Sequence, residues 1–257
     1  MKSSRDIIVP EVEAIATDML AGAATAGAQV VPSAEIAAIC MDRERLRVLA
    51  HEELGLPTTP YRFAGSLEEL RAGALEVGYP CVVKPLMSSS GHGQSVVRSA
   101  NAIDAAWTEA QKGRRAADEG DVSRVIVEAL APLERELTVL TVSSSAGIVT
   151  CAPIGQRQES GDYRESWQPA AEPGGESERA QDIARTVVEG LVAKAQAAGE
   201  TGLGRVRRGT VRAHRWFDSV QRGFSPPARY WHGDDGFPAP ERVRAARSRD
   251  SRSADYC

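Results

Sequence analysis

Residues 79–98 carry side chains that are suited to binding a phosphate group. A short apolar run at 81–83 predicts a buried strand that ends at Lys84, and residues 95–97 predict a second strand. The loop between them is small and polar, with serines and glycines at 88–93. Glycines let backbone N–H groups approach phosphate oxygens closely, and a lysine supplies a compact positive charge. The pattern predicts a hairpin whose tip covers a polyanion, although an ordinary surface hairpin fits the same spacing.

Other helix and strand patterns surround this hairpin and must position it. Asp42 is predicted to cap a helix over 42–54, with Arg43 in the first turn, where the helix dipole disfavours a cation unless an anion is near. Four further helices are predicted, at 11–20, 34–40, 66–77 and 178–198. Strands are predicted at 7–9, 29–31, 61–64 and 125–130, and a hairpin at 138–153. Residues 156–159 and 162–168 are predicted to be polar loops that face a ligand.

Composition places few restrictions on the class of protein. The chain has 257 residues, 42% of them hydrophobic and 26% charged, which suffices for one or two domains with a core. The four cysteines are far apart and form no C-x-x-C pair, so neither a zinc site nor a disulfide framework is predicted. The sequence shows no apolar run of membrane-spanning length and no signal-peptide pattern, and a reducing cytoplasm is the expected compartment.

Charge is divided unevenly along the chain. Residues 1–204 hold 19 basic and 29 acidic side chains, whereas residues 205–257 hold 12 arginines, no lysine and 6 acidic side chains. An arginine-rich segment is typical of an arm that binds nucleic acid. A non-catalytic binding protein with such a tail is therefore one alternative, although a shift of reading frame explains the arginines better.

Four separate runs carry a resemblance to a known family: residues 8–18 (IVPEVEAIATD), 41–44 (MDRE), 79–85 (YPCVVKP) and 161–169 (GDYRESWQP). Together, and in this order, they resemble the formate-dependent phosphoribosylglycinamide formyltransferases of the ATP-grasp superfamily. The resemblance extends from residue 7 to about residue 204. It implies an α/β fold with an ATP-grasp core of two α+β subdomains, incomplete here, at 41–204. A remnant of a Rossmann-like domain is expected before it at 1–40, and an arginine-rich, disordered or out-of-frame tail after it at 205–257.

The resemblance also implies which residues bind ligands. Thirteen positions match ATP contacts of the family: Arg43, Lys84, Ser89, Ser90, Gly91, His92, Gly93, Gln94, Glu128, Ala129, Leu130, Ala131 and Glu136. Glu11 matches a glutamate that contacts glycinamide ribonucleotide, although a carboxylate at a helix N-terminus would also be favourable there. For Glu136, simple strand alternation is the competing explanation. No residue of this chain is assigned as catalytic or as a metal ligand.

The activity implied by the resemblance belongs to purine synthesis. Enzymes of this family use ATP and Mg²⁺ to convert formate to formyl phosphate, which then formylates the amine of glycinamide ribonucleotide. Catalysis of this kind rests mostly on positioning and on neutralisation of phosphate charge. The implied partners are small-molecule substrates and a second copy of the chain, with neither a membrane nor a nucleic acid expected.

Two departures from the family pattern reduce the expected activity. His92 stands where the family usually has a lysine, and a neutral imidazole is a weaker partner for phosphate. After Gly204 the family continues with the two glutamates that hold magnesium, whereas this chain continues with an unrelated arginine-rich sequence. The chain is therefore expected to be inactive alone. Another ATP-grasp ligase for a different acid and amine, with Asp234 and Asp235 as nearby candidate metal ligands, is a second alternative.

A shift of reading frame is one explanation of the tail. Residues 223–233 can be encoded by bases that, read in another frame, give Glu-Val-Ser-Pro-Arg-Pro-His-Asp-Thr-Gly-Met-Val, the run that the family has after the point of departure. An excess of arginine without lysine is also what GC-rich DNA yields in a wrong frame. The sequence thus predicts an out-of-frame tail from about residue 205.

Overall fold

A computed structural model describes residues 7–10, 15–86, 93–112, 124–131, 135–159, 162–170, 175–200, 204–214 and 217–222. Contacts between Cα atoms divide the chain into two units, Met1–Pro226 and Pro227–Cys257, and every described residue belongs to the first. The described part of the chain combines helices with three β-sheets. No helix in these ranges is both long enough and apolar enough to cross a membrane.

The first elements form a small β-α-β unit. Strands β1 (Ile7–Ile8) and β2 (Gln29–Val30) pair in parallel, and α1 (Thr17–Thr25) connects them. Leu20, Val30, Ala34 and Ala37 form its buried core. The predicted helix at 11–20 differs from the structure, because residues 15 and 16 are not helical and α1 extends to Thr25. An acidic side chain at Asp18 lies in the first turn of α1, where the helix dipole favours it.

A helical segment leads from this unit to the second sheet. It consists of α2 (Ala34–Met41), α3 (Arg43–Arg47) and a π-helical turn at Val48–Glu53. Asp42 separates the two α-helices and caps α3, as predicted, because its Oδ1 accepts hydrogen bonds from the backbone N–H groups of Glu44 (2.8 Å) and Arg45 (3.2 Å). This cap fixes where α3 begins and therefore where the side chains of Arg43 and Arg47 point.

Replacing this cap is expected to destabilise the chain modestly. Asp42→Ala leaves the N–H groups of Glu44 and Arg45 without their side-chain acceptor, so the free energy of unfolding should fall by about 1 kcal/mol. Urea titration followed by circular dichroism measures the change. Asp42→Asn, which keeps an acceptor oxygen, is the control and should lose less than half as much.

A four-stranded antiparallel sheet follows. It contains β3 (Tyr61–Ala64), β4 (Cys81–Pro85), β5 (Ser95–Val97) and β6 (Val125–Ala129), in the order β3-β6-β4-β5. Helices α4 (Leu67–Val77) and α5 (Ile103–Lys112) cover one face with a core that includes Leu70, Cys81, Val83, Ile103 and Val127. Glu69 completes the predicted capping arrangement with Ser66, although its carboxylate accepts from the N–H of Gly65. The predicted hairpin is confirmed in its two strands.

Cys81 is expected to resist thiol reagents. It is fully buried in β4, and burial raises the pKa of its thiol, so the reactive thiolate is scarcer at any given pH. At pH 8, iodoacetamide should label the partly exposed Cys151 at least about tenfold faster than Cys81. Mass spectrometry of tryptic peptides gives both rates. In urea, where the chain is unfolded, the two cysteines should be labelled at equal rates. Equal labelling rates in the folded chain would contradict the burial of Cys81.

The third sheet is larger, and its strands pair antiparallel around one long strand. Its members are β7 (Arg135–Ser144), β8 (Gly147–Thr150), β9 (Ile154–Glu159), β10 (Asp162–Trp167), β11 (Gly204–His214) and β12 (Phe217–Arg222). Their order is β10-β9-β7-β11-β12, and β8 pairs with β7 in the predicted hairpin. Helix α6 (Glu176–Ala197) packs on Leu137 and Val139 of β7, and also on α2 and the π-helical turn.

The prediction of loops at 156–159 and 162–168 is wrong for all but residue 168, since 156–159 belong to β9 and 162–167 form β10. The two strands pair antiparallel, and the ring of Trp167 lies against Gly155 in the paired position. Residues 164–167 are exposed, so no alternation of apolar side chains marks β10 as a strand. Backbone hydrogen bonds hold such an edge strand in the sheet, and its polar side chains therefore carry no signal that predicts a strand.

The structure also has two strands in the segment from about residue 205, for which the sequence predicts a disordered or out-of-frame tail. β11 pairs antiparallel with β7, with Arg208 opposite Leu140 and Val211 opposite Leu137, and β12 pairs with β11. The edge of β7 offers N–H and C=O groups to which any non-proline segment can pair, whatever its side chains. Residues 223–257 lie outside the described part of the chain.

Candidate functional site

The face of the four-stranded sheet opposite α4 and α5 carries the charged residues of the predicted site. Side chains alternate along β4 and β6, so Lys84, Ile126 and Glu128 point away from the α4/α5 core that holds Val83 and Val127. Lys84 pairs with Ile126 in register, and Glu128 lies two residues further along β6. Lys84 and Glu128 are therefore diagonal neighbours on one face, within reach of long side chains.

Glu128 binds two cations at once. Its Oε1 accepts from Nζ of Lys84, and its Oε2 accepts from Nη2 of Arg47 at 2.7 Å. The carboxylate is 2% exposed, Arg47 7% and Lys84 13%. Two positive charges and one negative charge thus share a buried site. These three side chains together carry a net charge of plus one, which favours an anionic group nearby.

Arg47 is held on its other side by an aromatic ring. Its guanidinium carbon lies 5.2 Å from the ring centroid of Tyr61, and the Tyr61 hydroxyl donates to Oε1 of Glu52 at 3.1 Å. Burial, together with this hydrogen bond, raises the pKa of the Tyr61 hydroxyl above its ordinary value, so the ring stays neutral. The guanidinium is consequently fixed between a ring and a carboxylate.

Arg43 lies one helical turn before Arg47 and contacts the end of β4. Its Nη1 donates to the carbonyl oxygens of Pro85 (2.5 Å) and Leu86 (3.1 Å), just beyond Lys84. These carbonyls supply the negative partner that an arginine in the first turn of α3 requires. Arg43 therefore anchors the start of the predicted phosphate loop, and its direct contact with ATP stays a prediction.

Several predicted contacts lie outside the described residues. These are Glu11, Ser89, Ser90, Gly91 and His92. At the end of the same loop, Gly93 is buried and has a positive φ of 71°, a conformation that glycine adopts without strain, and Gln94 is exposed. Ala129, Leu130 and Ala131 continue from β6, where the N–H groups of Ala129 and Leu130 donate to the carbonyls of Pro60 and Pro80. The roles predicted for all of these residues stay predictions.

Glu136 belongs to a buried polar cluster on the third sheet. It is 9% exposed and lies directly opposite Gln156, whose Oε1 accepts from the Thr138 hydroxyl at 3.0 Å. Among the described residues, Nε2 of Gln156 has no hydrogen-bond partner although it is buried. Strand alternation does place Glu136, Thr138 and Gln156 on the face opposite α6. Alternation therefore accounts for the direction of the Glu136 side chain, but it does not account for the burial of this carboxylate.

Sequence reasoning missed Arg47 and the pair Thr138–Gln156. Arg47 is four residues after Arg43, and this spacing on one helix would have indicated a second cation on the same face as Arg43. Gln156 was assigned to a loop, so its register with Glu136 could not be read. Cross-strand register is set by the tertiary pairing of β7 with β9.

The residues in the described ranges do not form a metal site. No group of three or more His, Cys, Asp or Glu side chains there is arranged to hold a metal ion. A magnesium ion bound by protein needs several oxygen ligands in one place. The described side chains on this face of the sheet include two cations, Arg47 and Lys84, which suit an anionic group.

Comparison with known proteins identifies the class. The ATP-grasp domain family matches residues 49–197, which include Lys84, Glu128 and Glu136. A solved structure of a purK N5-carboxyaminoimidazole ribonucleotide synthetase in complex with ADP superposes with a TM-score of 0.73 over 87% of this chain and 54% of that chain, at 21% identity. The chain belongs to the ATP-grasp family, and the predicted α/β fold with an ATP-grasp core is confirmed.

The relatives with high identity are of one kind. The formate-dependent phosphoribosylglycinamide formyltransferase of Bifidobacterium longum is 94% identical over 199 residues, which are 77% of this chain and 50% of that relative. A solved structure named glycinamide-RNase-transformylase T, from Mycobacterium tuberculosis, is 29% identical, with a TM-score of 0.63 over 87% of this chain and 56% of that chain. The chain spans about half the length of the curated relatives it matches. The predicted resemblance to this family of formyltransferases is confirmed.

Proposed function

We propose that this chain carries the nucleotide-binding part of a formate-dependent phosphoribosylglycinamide formyltransferase. The buried cluster of Arg47, Glu128 and Lys84, with its net positive charge, is the observation that carries the proposal. Lys84 would contact the phosphates of ATP, and Arg43 would hold the start of the loop that covers them. The 94% identity to the relative from Bifidobacterium longum supports the choice among ATP-grasp enzymes.

The remaining roles are proposed from the same resemblance. Ala129, Leu130, Ala131 and Glu136 would bind the base and ribose side of ATP, and Glu128 would contribute through its backbone because its carboxylate is held by Arg47 and Lys84. The loop residues Ser89, Ser90, Gly91, His92, Gly93 and Gln94 would cover its phosphates. Glu11 would contact glycinamide ribonucleotide. Formate and this ribonucleotide would be the other substrates of the whole enzyme, which we propose to be a cytoplasmic homodimer.

Magnesium fits this chain less well than ATP does. The glutamates that hold it in the family are expected after Gly204, where the sequence departs, and the described residues contain no replacement cluster. When bound, magnesium would neutralise charge on the ATP phosphates. We therefore propose that this chain binds nucleotide but does not transfer phosphate by itself.

Calorimetric titration with ADP, in the absence of magnesium, tests the proposal. ADP should bind the folded chain, and Lys84→Met should weaken the affinity at least about tenfold, because a charged contact to phosphate is lost. Lys112→Met, at the end of α5 and away from the site, is the matched control. A folded wild-type chain that does not bind ADP would contradict the proposal.

Two further measurements test the rest of the proposal. Release of ADP from ATP in the presence of magnesium, formate and glycinamide ribonucleotide should not exceed that of the Lys84→Met variant.

We also propose that the segment from about residue 205 is read out of frame. The nucleotide sequence decides this, because codons for 223–233 that cannot be regrouped into the family run would exclude it.

A further inference from the structure

One carboxylate, Glu128, divides its two oxygens between two cations. Oε2 accepts from Arg47 at 2.7 Å and Oε1 accepts from Lys84, and the carboxylate itself is 2% exposed. Water screens such buried charges weakly, so the two ion pairs depend on each other. A carboxylate that is shared with Arg47 compensates less of the Lys84 charge than one that serves Lys84 alone.

We infer that Arg47 is a positioning residue that acts through Glu128 and keeps the charge of Lys84 available to a phosphate group. With Arg47 present, the three side chains carry a net charge of plus one. Removal of the Arg47 charge lowers the net charge of these three side chains to zero and leaves Lys84 as the only one of these two cations that Glu128 serves. The inference rests on the proposed function for the phosphate itself, whereas the link between the three side chains rests on their contacts.

The surroundings of Arg47 suit this role. The guanidinium stacks on Tyr61, whose hydroxyl is tied to Glu52, and it is 93% buried. Among the described residues, its Nη1 has no hydrogen-bond partner. Such a group is costly to bury for stability alone, which favours a role in placing charge.

Two substitutions of Arg47 separate charge from shape. Arg47→Lys keeps the positive charge, whereas Arg47→Gln keeps a donor for Glu128 without charge, and both lose the stacked guanidinium. ADP affinity without magnesium should stay within about threefold of wild type for Arg47→Lys and fall about tenfold for Arg47→Gln. Arg71→Gln, which breaks an exposed ion pair with Asp104, is the control for loss of one positive charge. Equal losses in the two Arg47 variants would overturn the inference, because a purely structural role predicts them.

Chemical labelling of Lys84 provides a test that does not need nucleotide. The chain has four lysines, so acetylation of each can be followed by mass spectrometry, with Lys112 as the internal reference. Because Glu128 would hold the Lys84 ammonium more tightly, Arg47→Gln should slow acetylation of Lys84 at least about threefold, and Arg47→Lys should not. Unchanged or faster labelling in Arg47→Gln would overturn the inference.

The two readouts distinguish failure of the inference from failure of the proposed function. If the wild-type chain does not bind ADP, the proposed function fails and the labelling rates still decide the role of Arg47. If ADP binds but neither affinity nor labelling separates Arg47→Gln from Arg47→Lys, the inference fails alone. Circular dichroism at the titration temperature establishes that each variant is folded.

Discussion

Glu128→Gln should lower the free energy of unfolding by about 3–5 kcal/mol, the cost typical of breaking a buried ion pair by removing one partner. The substitution keeps the volume of the side chain but removes the negative charge between Arg47 and Lys84. Two cations, 7% and 13% exposed, are then left close together without their carboxylate. Urea unfolding at pH 7, followed by circular dichroism, measures the loss.

Glu76→Gln is the matched control for that experiment. Glu76 also forms an ion pair with an arginine, Arg62, but both side chains are more than half exposed. Exposed pairs are screened by water and salt and contribute little, so the unfolding midpoint should hardly move. If Glu128→Gln behaved like Glu76→Gln, the buried three-residue cluster would not be present in the folded chain.

Leu49→Ala should cost about 2–5 kcal/mol, the range for truncation of a buried leucine. Leu49 is 2% exposed and lies in the core cluster that joins α2, the π-helical turn and α6, with Ile36, Ile39 and Leu191 as members. The same turn connects α3, which carries Arg47, to the core. Beyond the loss of stability, measured by urea unfolding, we expect weaker ADP binding because Arg47 is less firmly placed.

Leu75→Ala separates this effect from any loss of a leucine. Leu75 is in α4 and is 77% exposed, so its truncation removes little buried surface and leaves no cavity. Alanine is also a good helix former, and the free energy of unfolding should change by less than about 0.5 kcal/mol. Similar losses for both leucines would show that the core around α6 is not packed as described.

The proposed binding of an anion gives a reason for the buried cluster of charged side chains in the four-stranded sheet. Replacing buried ion pairs by apolar side chains is often neutral or stabilising, so a buried Arg47–Glu128–Lys84 cluster is weak evidence for stability. Its position at the end of β4, beside the carbonyls that Arg43 holds, instead matches the binding of an anion. Strand β6 contributes to both the site and the core. Glu128 forms ion pairs with Arg47 and Lys84 on one face of the sheet, and Val127 packs in the α4/α5 core on the other face.

The sequence by itself determined the elements whose signals are local. Asp42 was predictable as a cap because capping depends on neighbours in the chain, and the strands around Lys84 and Glu128 were predictable from their apolar runs. The family was likewise predictable, because four motifs occur in one order and therefore need no knowledge of contacts.

Only the tertiary structure decided which charges meet. Arg47 and Glu128 are 81 residues apart, and Lys84 is 44 residues from Glu128, so no spacing rule joins them. The strands β9, β10 and β11 were not predicted, because a strand pairs with its neighbours through backbone N–H and C=O groups that almost every sequence supplies. The register of β7 with β9 then placed Gln156 beside Glu136. Long-range pairing creates this polar cluster, as it does the cationic one, because side chains on neighbouring strands share a face only after the strands have paired.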